Sequence, residues 1–241
     1  MHILALDTTT PTASAAIWHS GKLLGQYTIQ TTTHSTTILP MIESLLANLS
    51  LTIPEIDLMA VAAGPGSFTG VRIGVSTIKG LAFSHGIPCI GVSSLEALAW
   101  NLVGYSGILC PVINARRNHV YTALFAADGV HAPVRLTPDD QLPVDEVAAQ
   151  LIARGETVYA AGDGYAMLRA AMGDVTLLAE TPEALRYPSG FSAACAAASQ
   201  YRNAPDPSIY TEATLVPIYL RKSQAERERE ERLAKEELSQ R

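Results

Sequence analysis

Apolar and polar residues alternate with two different periods through the first hundred residues. Short apolar runs separated by tight turns are typical of strands, and apolar residues spaced three and four apart are typical of helices. The predicted strands cover residues 2–7, 13–18, 23–29, 57–63 and 88–92. The predicted helices cover residues 36–49, 67–85 and 95–102. The order β-β-β-α-β-α-β-α indicates an antiparallel meander followed by parallel strands with crossover helices.

A second strand-turn-strand pattern begins after residue 103. Its predicted strands cover residues 108–113, 119–126, 157–164 and 174–179, and its predicted helices cover 144–154, 165–172 and 189–202. We therefore predict an α/β protein with two domains, each a mixed sheet with flanking helices. The first domain is expected over residues 1–103 and a smaller second one over 104–220. Residues 221–241 are almost wholly charged and predict a solvated helix or a frayed end.

Composition limits the class of protein and the cellular compartment that we expect for this chain. The chain has 241 residues, of which 48% are apolar, so sizeable cores are expected. No apolar run approaches the roughly twenty residues that a membrane-spanning helix needs, so no membrane is expected. The three cysteines are far apart, and none forms a C-x-x-C pair. This pattern, together with a strand directly at the N-terminus and no leader, favours a reduced cytoplasm.

Charge argues against a stand-alone nucleic-acid binder. The net charge is −6, and residues 221–241 hold seven Lys or Arg against six Glu, which leaves −7 for residues 1–220. Phosphate neutralisation needs clustered positive charge, which an acidic body does not supply. Arg116-Arg117 is the one compact basic spot on the body, and we interpret it as a solvated turn.

The stretch from Ala62 to Ala82 contains a glycine loop, Gly64-Pro65-Gly66, followed by Ser67 as a helix cap. A Walker-type loop would end in Gly-Lys-Ser or Gly-Lys-Thr, and no lysine is present here. Two interpretations stay open. Either the glycines simply join a strand to a helix, or the N–H groups at the helix start bind an anion without further help.

The helix after this loop has a second face that is lined by small residues. Gly70, Gly74 and Thr77 lie three or four apart and share that face, while Phe68, Val71, Val75, Ile78 and Ala82 face the core. An interior glycine costs a helix about 1 kcal/mol relative to alanine. Two glycines on one face therefore indicate the close approach of another backbone, either in a partner or in the same molecule.

Several segments resemble the bacterial TsaB family, also called YeaZ: ILALDTTT, GPGSFTGVRIG, TIKGLA, GIPCIGVSSLEALA and PIYLRKSQAE. The resemblance implies the actin/Hsp70/sugar-kinase fold in both domains. It also implies a non-catalytic scaffold that pairs with TsaD, the subunit that places threonylcarbamoyl on the tRNA adenosine 3′ to the anticodon. TsaE is then a further partner, and tRNA is met only through the complex. No cofactor is expected on this chain, since ATP and a metal belong to the partner subunits.

The partner surface is expected on the helices 67–85 and 36–49. The candidate interface residues are Thr69, Gly70, Arg72, Ile73, Gly74, Thr77, His34 and Met41. An exposed face of this kind also predicts a homodimer when the chain is alone.

A metallopeptidase is the weaker of two alternatives. Proteins resembling TsaD carry two metal-binding histidines four residues apart after the fifth strand, and this chain has Ser94 and Leu98 there. Leucine does not bind a metal, and a neutral serine is a poor ligand beside imidazole. The histidines at 2, 19, 34, 85, 119 and 131 show no H-x-x-x-H spacing. No metal site and no catalytic residue are therefore predicted.

A small-molecule kinase or ATPase of the same fold is the other alternative. Asp7 stands where actin-like ATPases place a carboxylate, and Thr8 and Thr9 would then form a phosphate-facing turn. That turn lacks a glycine, and the second expected carboxylate is replaced by Asn114. Phosphoryl transfer depends on such carboxylates and Mg²⁺. We therefore interpret Asp7, Thr8 and Thr9 as a weak nucleotide site and Asp7 mainly as a strand-end cap.

Overall fold

Five strands form the first sheet in the spatial order β3-β2-β1-β4-β5. They are β1 (His2–Asp7), β2 (Thr12–His19), β3 (Lys22–Gln30), β4 (Leu58–Ala62) and β5 (Cys89–Val92). The first three strands run antiparallel, and β4 and β5 continue the sheet in parallel from β1. These bounds come from a computed structural model, which describes residues 1–31 and 33–220. The predicted meander and the parallel pairing that follows it are confirmed.

Helices cover both faces of this sheet because successive strand residues point to opposite sides. Helices α1 (His34–Asn48) and α2 (Phe68–Phe83) pack on the face that carries Leu4 and Leu6. The opposite face, with Ile3, contacts α6 (Gly190–Asn203) and α3 (Ser94–Trp100).

A long strand, β6 (Ser106–Arg116), is the centre of the second sheet. The others are β7 (His119–Thr122), β8 (Phe125–Asp128), β9 (Val134–Arg135), β10 (Asp140–Pro143) and β11 (Val158–Ala161). Helices α4 (Val144–Arg154) and α5 (Tyr165–Met172) pack on one face. Leu95 and Leu98 of α3 pack on residues of β6, so α3 contacts both sheets.

Four features differ from the prediction. The predicted strand 119–126 is split, because β7 pairs with the C-terminal part of β6 and β8 pairs with its N-terminal part. Residues 174–179 form only an isolated bridge, Val158 with Leu178. The polar stretch before α4 contains β9, which pairs with β8, and β10, which pairs with β7. Helix α1 begins at His34, and its N-cap, Thr33, makes no side-chain capping bond.

Helix α6 lies late in the described chain but packs on the first sheet. It lies in the segment predicted as the second domain, yet five of its alanines belong to the core of the first sheet: Ala193, Ala194, Ala196, Ala197 and Ala198. The domain division at residue 103 stays a prediction. In the structure, α6 comes from the second segment and packs on the sheet of the first. The predicted charged tail, 221–241, lies outside the described residues. Among the described helices, none is long and apolar enough to cross a membrane.

A larger side chain in α6 tests whether this helix packs on the first sheet. Ala197 is fully buried against the first sheet, so Ala197→Leu should lower the free energy of unfolding by about 1–3 kcal/mol. Gln200 is exposed on the same helix, so Gln200→Leu should change it by less than about 0.5 kcal/mol. Urea unfolding of both variants measures this, and equal stabilities would contradict the packing of α6.

Candidate functional site

The polar groups of the turn after β1 form hydrogen bonds with one another and with α2. One carboxylate oxygen of Asp7, Oδ1, accepts hydrogen bonds from the backbone N–H of Thr9 at 2.9 Å and from its hydroxyl at 2.7 Å. The hydroxyl of Thr8 donates to the carbonyl oxygen of Gly70 at 2.7 Å. All three residues are at most 1% exposed. As placed, their polar groups bond to one another and to α2, and the weak nucleotide site stays a prediction.

Glycines let the start of α2 lie directly on this turn. The backbone N–H of Ser67 donates to the carbonyl oxygen of Thr9 at 2.7 Å. A Cβ on Gly70 would overlap the carbonyl oxygen of Thr8, and a Cβ on Gly74 would lie 2.5 Å from the Thr8 hydroxyl oxygen. Ser67 caps the helix by accepting from the Gly70 N–H at 3.3 Å, as predicted. The close backbone approach that the glycines require is therefore made within this chain.

The end of the described chain closes the other side of the loop. The backbone N–H of Ile218 donates to the carbonyl oxygen of Ala63 at 2.7 Å. A Cβ on Gly64, whose φ is +114°, would overlap the Ile218 carbonyl oxygen. Leu215 is buried in the core beneath α2, and its carbonyl oxygen accepts from Lys79 Nζ at 3.1 Å. The loop is thus held between the β1–β2 turn and residues 215–218.

Asp7 is electrostatically unusual. Its second oxygen, Oδ2, is buried and has no hydrogen-bond partner among the described residues. Burial raises the pKa of Asp7 from 3.8 to about 6, although the two bonds from Thr9 oppose this shift. The carboxylate is therefore held at a cost in stability near neutral pH.

The eight predicted interface residues divide into two groups. Gly70, Gly74, His34 and Met41 are buried inside the chain. His34 Nε2 lies 2.8 Å from the carbonyl oxygen of Thr10, and Met41 belongs to the first core. As placed, these four do not lie on the surface of the chain, and their assignment to an interface stays a prediction. The other four are accessible: Thr69 and Arg72 are exposed, and Ile73 and Thr77 are half-buried.

One exposed stripe runs along α2 on the side away from the sheet. We call it the outer face of α2, and it consists of Thr69, Arg72, Ser76, Gly80 and Phe83. Three of them, Ser76, Gly80 and Phe83, are not among the predicted interface residues. The signal that could have identified them is their spacing of three and four with a single charge in the stripe. Solvent-facing stripes of helices usually carry more charge than this.

Two aromatic rings hold the charge on the outer face. The Arg72 guanidinium carbon lies 3.9 Å from the Phe68 ring centroid, and Arg72 Nε donates to the Tyr219 hydroxyl at 2.8 Å. The Phe68 and Tyr219 rings stack with centroids 5.0 Å apart. Arg72 is therefore fixed in place before any partner arrives.

A wide cleft lies beside this cluster, bordered by both halves of the chain. Its walls include Thr10, Ser67 and Tyr219 on one side and Arg116, Tyr121 and Asp163 on the other. The backbone N–H of Asn114 donates to Asp163 Oδ1 at 2.9 Å. Asp163 was missed as a partner of this turn, because only the fold brings β6 and the end of β11 together.

The two positions matched to metal-binding histidines have structural roles. The hydroxyl of Ser94 donates to the carbonyl oxygen of Pro65, and Leu98 is buried between α3 and the second sheet. Within residues 1–31 and 33–220, no group of three or more His, Cys, Asp or Glu side chains is placed to hold a metal ion.

Residues 28–229 match the family model described as TsaD: tRNA N6-adenosine threonylcarbamoyltransferase. The chain is similar to the tRNA threonylcarbamoyladenosine biosynthesis protein TsaB of Bacillus subtilis, with 41% identity over 126 residues, 52% of this chain and 55% of that protein. The chain spans about half of the length of the curated relatives that it matches.

Solved structures extend the similarity over most of the chain. YeaZ from Pseudomonas aeruginosa superposes with a TM-score of 0.75 at 26% identity, covering 91% of this chain and 99% of that one. Component A of the (R)-2-hydroxyglutaryl-CoA dehydratase of Acidaminococcus fermentans gives a TM-score of 0.50 at 10% identity, over 86% and 100%, which shows a shared fold alone. The predicted α/β class, with mixed sheets and flanking helices, is confirmed, and the fold is shared with YeaZ.

Two glycines of α2 give a matched test of the loop contact. We expect Gly70→Ala to lower the free energy of unfolding by about 2 kcal/mol or more, because its Cβ displaces the β1–β2 turn. Gly80 has open space around its Cα, so Gly80→Ala should raise it by about 0.5–1 kcal/mol. Chemical denaturation measures both, and a Gly70→Ala variant as stable as the parent protein would disprove the contact.

The pH dependence of stability tests the state of Asp7. Its pKa is about 6 in the folded chain against 3.8 unfolded, so the folded state binds the extra proton. The Asp7 contribution therefore declines as pH rises from about 4 to 6, by about 2–3 kcal/mol in total. Asp7→Asn should lose this component. Urea titrations at both ends of that range check it, and identical pH profiles of variant and parent would count against a buried carboxylate.

Proposed function

The chain belongs to the TsaD family, and we propose that it is a TsaB-type, non-catalytic member that supports threonylcarbamoylation of tRNA. In this proposal it binds TsaD as a scaffold, and TsaE joins the pair. The modified residue is the adenosine 3′ to the anticodon. The protein acts in the cytoplasm, consistent with three free cysteines among the described residues.

The outer face of α2 is the observation that carries the proposal. It presents hydroxyls, a glycine and the 73% exposed ring of Phe83, with Arg72 as its single charge. Depletion of charge together with exposed aromatic and arginine side chains is typical of the centre of a protein interface. Ile73 and Thr77 flank this face and widen it.

Helix α1 extends the same surface. It packs beside α2, and its solvent side carries Leu39, which is 46% exposed, with Pro40 and Ala47. Glu43 is its one exposed charge. Two neighbouring helices with two charges between their exposed sides form a broad surface of low charge, which suits burial by a partner or by a second copy.

The closed turn after β1 supports a non-catalytic role. Phosphoryl transfer needs carboxylates and backbone groups that reach phosphate and Mg²⁺. Here Asp7 is sealed under Thr9, and the start of α2 covers Thr8. In our proposal, ATP and the metal are therefore held by the partner subunits, and neither the kinase nor the metallopeptidase alternative gains an observation in its favour.

A charge placed on the outer face should block pairing with TsaD. Ser76 lies at the middle of that face and is exposed, so Ser76→Arg adds bulk and charge without disturbing the core. We expect the affinity for TsaD to fall at least about 30-fold, as at a central interface position. Analytical ultracentrifugation of the chain alone and mixed with TsaD from the same organism measures the pairing.

Ala149→Arg is the matched control, since Ala149 is an exposed small residue inside α4 on the second half of the chain. It should leave the affinity for TsaD unchanged, and both variants should keep the parent thermal stability. A Ser76→Arg variant that pairs as tightly as the parent would refute the assigned surface. A parent chain that forms no complex with TsaD at micromolar concentration would refute the scaffold function.

A further inference from the structure

The hairpin tip between β6 and β7 has an uncommon backbone. Arg116, Arg117 and Asn118 have φ values of 64°, 53° and 59°. Residues with a Cβ seldom adopt this left-handed region, and three in succession cost free energy that other contacts must offset. Backbone of this kind occurs in tight hairpin turns and at functional sites, so the groups that the tip presents need inspection.

Hydrogen bonds fix the tip in this shape. The backbone N–H of Arg116 donates to Asn114 Oδ1 at 2.8 Å, and His119 Nδ1 lies 2.8 Å from the carbonyl oxygen of Arg117. Asn118 Nδ2 donates to Asp145 Oδ2 at 3.0 Å, and the Asn118 carbonyl accepts from the Val144 N–H at 3.0 Å. The backbone is ordered, while the Arg116 and Arg117 side chains extend from it and are exposed.

These two guanidinium groups differ from the others in residues 1–220. Each of the other arginines there has a hydrogen-bond partner in the chain: Arg72, Arg135, Arg154, Arg169, Arg186 and Arg202. Arg116 and Arg117 form no ion pair, ring contact or side-chain hydrogen bond with any residue that the structure describes. Two adjacent unpaired guanidiniums on an ordered tip can bind oxyanions without first breaking an internal bond.

The tip borders the cleft described above, whose other walls suit an RNA strand. Asp163 is the one acidic residue among its described walls, and an Asp163 oxygen already accepts the Asn114 N–H. Tyr121, Phe68 and Tyr219 place aromatic rings in the same walls, and Tyr219 is 42% exposed. Hydroxyls of Thr10, Ser35, Ser67 and Thr69 also line it. Cationic, aromatic and hydroxyl groups together are typical of contacts with unpaired nucleotides.

We propose that Arg116 and Arg117 bind backbone phosphates of the tRNA when this chain is part of the assembled complex. This inference rests on the proposed function, and it differs from our interpretation of the pair as a merely solvated turn. Two phosphate contacts are too few for binding by an acidic chain alone, which is why the contact is confined to the complex.

An RNA strand fits these observations better than an acidic protein segment. An acidic peptide would match the arginines but would not call for the aromatic and hydroxyl groups that also line the cleft. An open cleft with walls from both halves of the chain instead accommodates an extended strand. A free nucleotide is disfavoured because Asp7, Thr8 and Thr9 are sealed below it.

The test measures RNA binding by the complete complex as salt is varied. The complex of this chain with TsaD and TsaE is titrated into fluorescein-labelled tRNA, with anisotropy read at several KCl concentrations. The variant is Arg116→Gln with Arg117→Gln, which keeps length and polarity. The control is Arg154→Gln with Arg202→Gln, which removes the same two charges outside the cleft. Protein assembly is measured separately by sedimentation without RNA.

We expect the hairpin variant to bind tRNA roughly tenfold more weakly and to reduce the slope of log K against log salt by about 1–2. The control should stay within about twofold of the parent. Unchanged affinity and slope in the hairpin variant, or equal losses in both variants, would overturn the inference while leaving the scaffold function intact. Loss of protein assembly without RNA in the hairpin variant would assign the arginines to an acidic partner segment and overturn it too. A parent chain that does not assemble would refute both proposals.

Discussion

The contact between the β1–β2 turn and the first turns of α2 organises the N-terminal half. Backbone meets backbone there, since the Ser67 N–H bonds to the Thr9 carbonyl and Gly70 lies against the Thr8 carbonyl. No side chain larger than hydrogen fits between them. This contact sets the height and angle of α2 above the sheet. It also engages the Ser67 N–H at the start of α2, which is therefore not available to bind an anion.

The same contact divides α2 into three sides with separate roles. Gly70 and Gly74 face the turn, Val71, Val75 and Ile78 face the sheet, and the outer face of α2 is left to solvent. A helix held on two sides presents its third side with little freedom. Binding a partner there then costs little ordering entropy, which is an advantage for a scaffold. The Phe68–Arg72–Tyr219 cluster extends this rigidity to the one charged side chain of that face.

Local sequence patterns predicted most strands and helices of the fold but few of the contacts at the candidate site. The strands of the first sheet could be predicted because alternation and tight turns are local signals, and Ser67 as a cap was equally local. The division of 119–126 into β7 and β8 depends on two different stretches of β6, which no local pattern encodes. The glycine face shows the same limit. The spacing of Gly70 and Gly74 indicated that another backbone lies close to α2. Whether that backbone belongs to a partner or to Thr8 depends on where β1 ends, which the spacing does not encode.

The distribution of charge reconciles the acidic body with the proposed contact to RNA. Net charge governs encounters at long range, and these are screened beyond about 10 Å at moderate salt. At short range, what matters is whether a cation is already paired. In residues 1–220 most arginines are engaged within the fold, whereas Arg116 and Arg117 are left free at a strained hairpin whose backbone is tied to Asn114 and Asp145. In our proposal, this acidic chain contributes phosphate contacts only after its partners have bound the RNA. In our proposals, Arg116 and Arg117 therefore contact the nucleic acid, whereas the outer face of α2, with Arg72 as its single charge, contacts the protein partner.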